Sequence, residues 1–200
     1  VKNRLAAGST DGLTGVRTPP AAAGALPTDT YEVFSKIRIP GRVANLKHVA
    51  NAQTDGDSYV WFKSAKVLAT GDTFTNRRSP NIDFANGGNI KGMIAAADTY
   101  IKLTIAKSRI VPGHGPVIVG AARVRAELQK VIDAVRFIHD RTVDGMNAGV
   151  DMWTLMREVQ LPPELELQPG RCPTHWIVRS VWEDYLGWAR MESTTELYGV

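Results

Sequence analysis

The period of the apolar residues changes along this chain, and that change constrains the fold more than any other feature. Between residues 31 and 70 it is two. Lys36-Ile37-Arg38-Ile39 alternates polar with apolar before a Pro40-Gly41 turn, and Leu46-Lys47-His48-Val49 alternates again. Ser58-Tyr59-Val60-Trp61-Phe62 and Lys66-Val67-Leu68-Ala69 are short β-rich runs joined by the tight segment Lys63-Ser64-Ala65. Such a series predicts an antiparallel meander with one buried face. The period then lengthens. Gly71-Asp72-Thr73-Phe74 closes a strand, and a polar, glycine-rich loop runs to Gly88. Asn89 caps a helix through Met93 and Ala97 to about Ala106, and Ser108-Arg109-Ile110-Val111 is a strand again. Strand, helix, strand is a βαβ-like unit, so the chain reads as α/β. In such sheets ligands collect outside the carboxyl ends of the strands, and both Asp72 and the His114 of Pro112-Gly113-His114-Gly115-Pro116 fall there.

From residue 119 the pattern is helical. Val124, Leu128, Val131, Ile132, Val135 and Ile138 recur every three or four positions on one apolar face. Met146 to Gly149 breaks it. Asp151 caps a helix through Val159, Leu161-Pro162-Pro163 stops it, and Pro173 opens a last helix carrying Trp176, Ile177, Val181, Tyr185 and Trp188. Residues 1–30, rich in Ala, Gly, Thr and Pro, read either as an extended surface segment or as a disordered tail.

Composition narrows the classes of function. Apolar residues make up 44% of the 200, enough to bury a core. A net charge of +4, with basic residues scattered along the sequence and no basic–aromatic alternation, argues against a nucleic-acid partner. No apolar run reaches the roughly 18 residues of a membrane helix, so no membrane partner is expected. Cys172 is the single cysteine, so no internal disulfide forms and the redox compartment stays open, cytoplasmic or periplasmic. The first residue, Val1, fits a processed or excised chain or an incomplete reading frame, and no signal peptide is visible.

Three segments carry chemistry. Asp72 is a carboxylate expected just past a strand end, suited to a hard or borderline cation, though a Gly-Asp pair alone also suits a turn-capping aspartate. His114 stands between glycines that leave the backbone room and prolines that stiffen the loop. That is a good mount for a metal ligand or an acid–base group, the alternative being a turn histidine bonded to a backbone carbonyl. Asn51-Ala52-Gln53-Thr54-Asp55-Gly56-Asp57 reads by itself as a hairpin turn.

In the order Thr54-Asp55-Gly56-Asp57, Gly71-Asp72-Thr73-Phe74, Pro112-Gly113-His114-Gly115-Pro116, these segments resemble the second half of metallo-β-lactamase-fold hydrolases. The resemblance implies half of a four-layer αββα sandwich over residues 31–120, with one or two zinc ions at its edge. Asp72 would bridge or bind the second metal, and His114 would be the last ligand. Gln53 stands in a slot that is histidine in many members, and its amide is a weaker donor. The His-x-His-x-Asp-His signature of the first half is absent. His48, on a predicted strand, and His139, on a predicted helix, read as structural. Asp57 would support the loop around the ligands. Phe137-Ile138-His139-Asp140-Arg141-Thr142, Asn147-Ala148-Gly149, Leu161-Pro162-Pro163-Glu164-Leu165 and Tyr185-Leu186-Gly187-Trp188 resemble the helical dimerisation region of alkyl sulfatases, zinc-dependent members of the same superfamily. That implies a helical, homodimer-forming region over residues 121–200 and a small-molecule ester substrate, with Arg77 and Arg78 available to an anionic group such as sulfate. The competing expectation is a non-catalytic or incomplete subunit, since two credible ligands fall short of the three that catalytic zinc takes.

Overall fold

The computed structural model describes residues 1–11, 15–168 and 172–186. A six-stranded sheet in sequential order is built from β3 (Phe34–Ile39), β4 (Arg42–Val49), β5 (Asp57–Phe62), β6 (Val67–Thr75), β7 (Arg109–His114) and β8 (Ile118–Val119). All neighbours are antiparallel except β6 and β7, which run parallel because α2 (Ile90–Leu103) crosses between them. The meander and the βαβ unit both stand where the period change places them. Asn89 caps α2, its side chain accepting from Lys91 N and Gly92 N.

Register explains the core. Trp61, Leu68, Ile110 and Ile118 are paired across β5 to β8 and so share one face. Leu68, Ile110 and Ile118 are fully buried on it. They join one cluster with Met93, Ala97 and Tyr100 of α2 and with Val124, Leu128, Ile132, Val135 and Ile138 of α3 (Ala121–Asn147). The stripe read in α3 is therefore its buried face. Leu46, Val60, Ala69 and Val111 pair across the opposite face. None of these four is buried, and Val111 is 39% exposed. The sheet thus has one packed face and one apolar, open face among the described residues.

After α3 come α4 (Met152–Glu158), capped by Asp151, and α5 (Thr174–Leu186). Ile177, Val178 and Val181 of α5 are fully buried, and Trp176 and Trp182 pack at the margin of the core. Gly187 and Trp188 lie outside the described residues. Cys172 is 1% exposed, and burial pushes its thiol up to about 12. Thiolate is the reactive form, so labelling by a thiol reagent at pH 8 is expected to run at least about a thousand-fold slower in the folded chain than in urea. Comparable rates in the two states would place Cys172 at the surface.

Two expectations are corrected. Residues 1–30 are more than an extended segment: α1 (Lys2–Ala7), a ribbon of β1 (Ser9–Thr10) with β2 (Arg17–Thr18), and a 3-10 turn at Ala23–Ala25 form there. Anchors account for the order, since Arg4 pairs with Asp55 and Asn86 Nδ2 donates to Thr10 O at 3.1 Å. Asp72 does not lie past a strand end either. β6 continues to Thr75, with register shifts between Ala69 and Gly71 and again between Gly71 and Thr75. Gly71 takes φ 55°, a left-handed conformation that glycine adopts without a Cβ clash, and so lets the strand bulge and resume.

Candidate metal centre

The bulge aims Asp72, and its geometry is fixed from behind. Thr73 Oγ1 donates to Thr70 O across the bulge at 2.7 Å and also bonds the hydroxyl of the fully buried Tyr100 on α2. One strand over, Gly113 lets β7 come close enough for His114 to meet Asp72. A Cβ on Gly113 would lie 2.0 Å from Asp72 Oδ1 and 2.7 Å from the Gly71 carbonyl carbon. The outcome is His114 Nε2 at 3.4 Å from Asp72 Oδ1, with both side chains half open to solvent.

The His114 loop has its own clamp in Asn76, which is 2% exposed. Asn76 N donates to His114 O at 2.9 Å and Asn76 Nδ2 donates to Pro116 O at 2.8 Å, so one residue at the end of β6 grips the loop at two points. Gly115 fits against it at φ 92°, where a Cβ would come within 2.7 Å of Asn76 O.

Gln53 enters from the β4–β5 loop. Its carbonyl accepts from Asp83 N at 2.9 Å, and the Asp57 carboxylate ties the next residue by accepting from Thr54 N at 2.8 Å and Thr54 Oγ1 at 3.2 Å. Burial raises the Asp57 carboxyl above its ordinary range, the Thr54 bonds lower it, and the nearby Asp72 charge raises it again. Gln53, Asp72, Thr75, Arg78, Ser79, Asn81 and His114 together line a cleft of about 180 Å³.

Neighbours in sequence part company here. Arg78 faces the cleft. Arg77, at φ 63°, turns to α3, where its Nε and Nη2 donate to Glu127 Oε1 at 3.2 and 2.9 Å. The other histidines are engaged elsewhere. His48 Nε2 is 2.7 Å from Asp55 O, His139 bridges Asp140 and Tyr185, and His175 lies beside Trp176. Pattern reading missed Asn76, Tyr100, Ser79 and Asn81. The first two act through hydrogen bonds that no periodicity encodes, and the last two sit in a loop with no repeat to index them. Ser79 Oγ and Asn76 Oδ1 are buried without a protein partner.

An imidazole and a carboxylate at this separation suit a borderline cation such as zinc. Among the described residues no group of three or more His, Cys, Asp and Glu is placed to hold a metal ion. The donor set therefore fits two positions of a metal site, with the Gln53 amide beside them.

No family model matches the chain. Over 168 residues, 81% of its length, it is 27% identical to the linear primary-alkylsulfatase of Pseudomonas sp. (strain ATCC 19151), and it spans 32% of that protein. Its fold resembles the stereoselective inverting sec-alkylsulfatase from Pseudomonas sp., with a TM-score of 0.67 and 19% identity over 88% of this chain and 28% of that one. It also resembles a metallo-β-lactamase family protein from Thermus thermophilus, with a TM-score of 0.59 and 15% identity over 86% and 52% of the two chains. The chain therefore has the fold of metallo-β-lactamase-like proteins, and in sequence it is similar to part of an alkylsulfatase.

Proposed function

We propose that this chain contributes Asp72 and His114 to the metal centre of a zinc-dependent hydrolase acting on small-molecule esters, sulfate esters foremost. The observation that carries the reading is the approach of His114 Nε2 to Asp72 Oδ1 in a cleft that Arg78 also lines. The match to the Pseudomonas primary alkylsulfatase supports the sulfate class. A bound zinc would supply Lewis acidity and acidify water toward pKa ~7, giving a nucleophile at neutral pH. Asp72 and His114 hold the ion, Gln53 borders it, and Asp57 keeps the Gln53–Thr54 turn in place. Arg78 receives the anionic group of the substrate; Arg77, paired with Glu127, serves the loop instead. The remaining ligands come from residues beyond this sequence. The apolar, open sheet face is suited to a second sheet, and the helical region from α3 to α5 is proposed as a homodimer contact.

A second reading has its own observation. Two donors are fewer than the three protein ligands of catalytic zinc, so the chain by itself would be a non-catalytic assembly part. Zinc titration separates the two. Less than about half an equivalent of tightly held zinc on the 200-residue chain favours the second reading. In a longer polypeptide that binds zinc, the Asp72→Ala/His114→Ala double variant is expected to lose at least about 100-fold in affinity, more than loss of an outer hydrogen-bonding partner costs. Equal binding would defeat the ligand assignment. Arg78→Ala is expected to lower turnover of a sulfate ester with zinc retained, and unchanged kinetics would remove its role.

A further inference from the structure

In the sequence the basic residues look scattered, but the fold gathers many of them at the end of the sheet opposite Asp72 and His114. The β3–β4 turn brings Arg38 and Arg42 there, and the β5–β6 turn brings Lys63 and Lys66. Arg109 N donates to Lys66 O at 2.8 Å, which sets the start of β7, with Lys107 just before it, beside that turn. Segments 34–49, 58–69 and 104–120, which build this end, contain no aspartate or glutamate. None of these six cations forms an ion pair among the described residues. Arg42, Lys63 and Lys66 line one open groove with Asn45 and Ser64. Ile105, in the loop that leads to Lys107 and β7, is 51% exposed beside these cations.

We propose that this end of the sheet docks on an anionic lipid surface. Cations at such a surface gain from its negative potential, and the exposed Ile105 beside them enters the headgroup region. Unsatisfied like charges crowded at one end repel each other, and an anionic plane relieves that repulsion across all of them at once. A single-stranded nucleic acid would want exposed aromatic platforms, and among the described residues no exposed aromatic side chain stands beside these cations. A spanning helix is not needed for this mode of contact, and no helix among the described residues is long and apolar enough to cross a membrane.

The test is co-sedimentation of the full chain with phosphatidylcholine vesicles, alone or carrying about 30% phosphatidylglycerol. Binding is expected only to the anionic vesicles, falling at least about ten-fold as NaCl rises from about 0.1 to about 0.5 M. Arg42→Glu/Lys63→Glu is expected to lose at least about ten-fold, and Arg42→Lys/Lys63→Arg to bind like the parent. Lys2→Glu/Arg17→Glu, which makes the same change in net charge away from this end, is expected to retain binding. The proposal is overturned by equal binding to neutral vesicles, which would point to the open apolar face. It is also overturned by equal loss in both Glu pairs, by no vesicle binding, or by a duplex oligonucleotide that displaces the vesicles at equal charge concentration. Circular dichroism of each variant checks that it is folded.

Discussion

Gly113→Ala is expected to destabilise the chain by about 3 kcal/mol, the upper end of what overpacking costs. By exposure alone the change looks harmless: Gly113 is at the surface, where substitutions usually move stability by no more than about 0.5 kcal/mol. The contacts say otherwise. The new Cβ would lie 2.0 Å from Asp72 Oδ1, and that carboxylate could rotate away at the cost of its approach to His114. It would also lie 2.7 Å from Gly71 C and 2.8 Å from Asp72 N, and these are main-chain atoms of the strand that pairs with β7. Relief therefore means separating β6 from β7 at the one place where the two candidate ligands meet. Urea unfolding measures the loss. Gly24→Ala, with nothing within 4 Å of its Cβ, is the control and should stay within about 0.5 kcal/mol of the parent. A Gly113→Ala variant as stable as that control would mean that the strands are not in this close contact.

The same contrast explains what could be read without coordinates. A period of two in 31–70 and of three to four in 124–138 follows from burying one face of a strand or a helix, so both survive as patterns in the residues. Asp72 and His114 were singled out by the resemblance of their ordered motifs to those of metallo-β-lactamase-fold hydrolases, since a Gly-Asp pair alone also suits a turn-capping aspartate. That the two side chains meet depends on the bulge at Gly71 and the close approach of β7. Asn76 and Tyr100 carry no such signature. Tyr100 recurs on the apolar face of α2 like any core aromatic, and only its contact with Thr73 ties it to the Asp72 bulge. Arg77 and Arg78 are indistinguishable in composition, yet a left-handed residue at 77 sends one to α3 and leaves the other at the cleft. The basic end of the sheet was illegible for a different reason: its members are spread along the chain, and only the two hairpin turns and the β7 start bring them side by side.

Asn76 offers the sharpest test of how the His114 loop is held, because an almost isosteric change should be worse than a truncation. Asn76→Ala removes one donor and leaves Pro116 O without it, a loss of about 1–2 kcal/mol. Asn76→Asp keeps the shape but cannot donate when ionised, so a carboxylate oxygen would face the Pro116 carbonyl at hydrogen-bond distance. At 2% exposure that charge would also be cut off from water, and the atom beside it, Asn76 Oδ1, already lacks a protein partner. An uncompensated buried charge costs about 3–5 kcal/mol, so at pH 7 the aspartate variant should be the less stable of the two. The backbone bond from Asn76 N to His114 O would persist in both, which confines the difference to the side chain. Urea midpoints in the order parent, Ala, Asp are the expected result. An aspartate variant as stable as the parent would mean that the Asn76 side chain does not grip the loop, and that the prolines and glycines around His114 hold it by themselves.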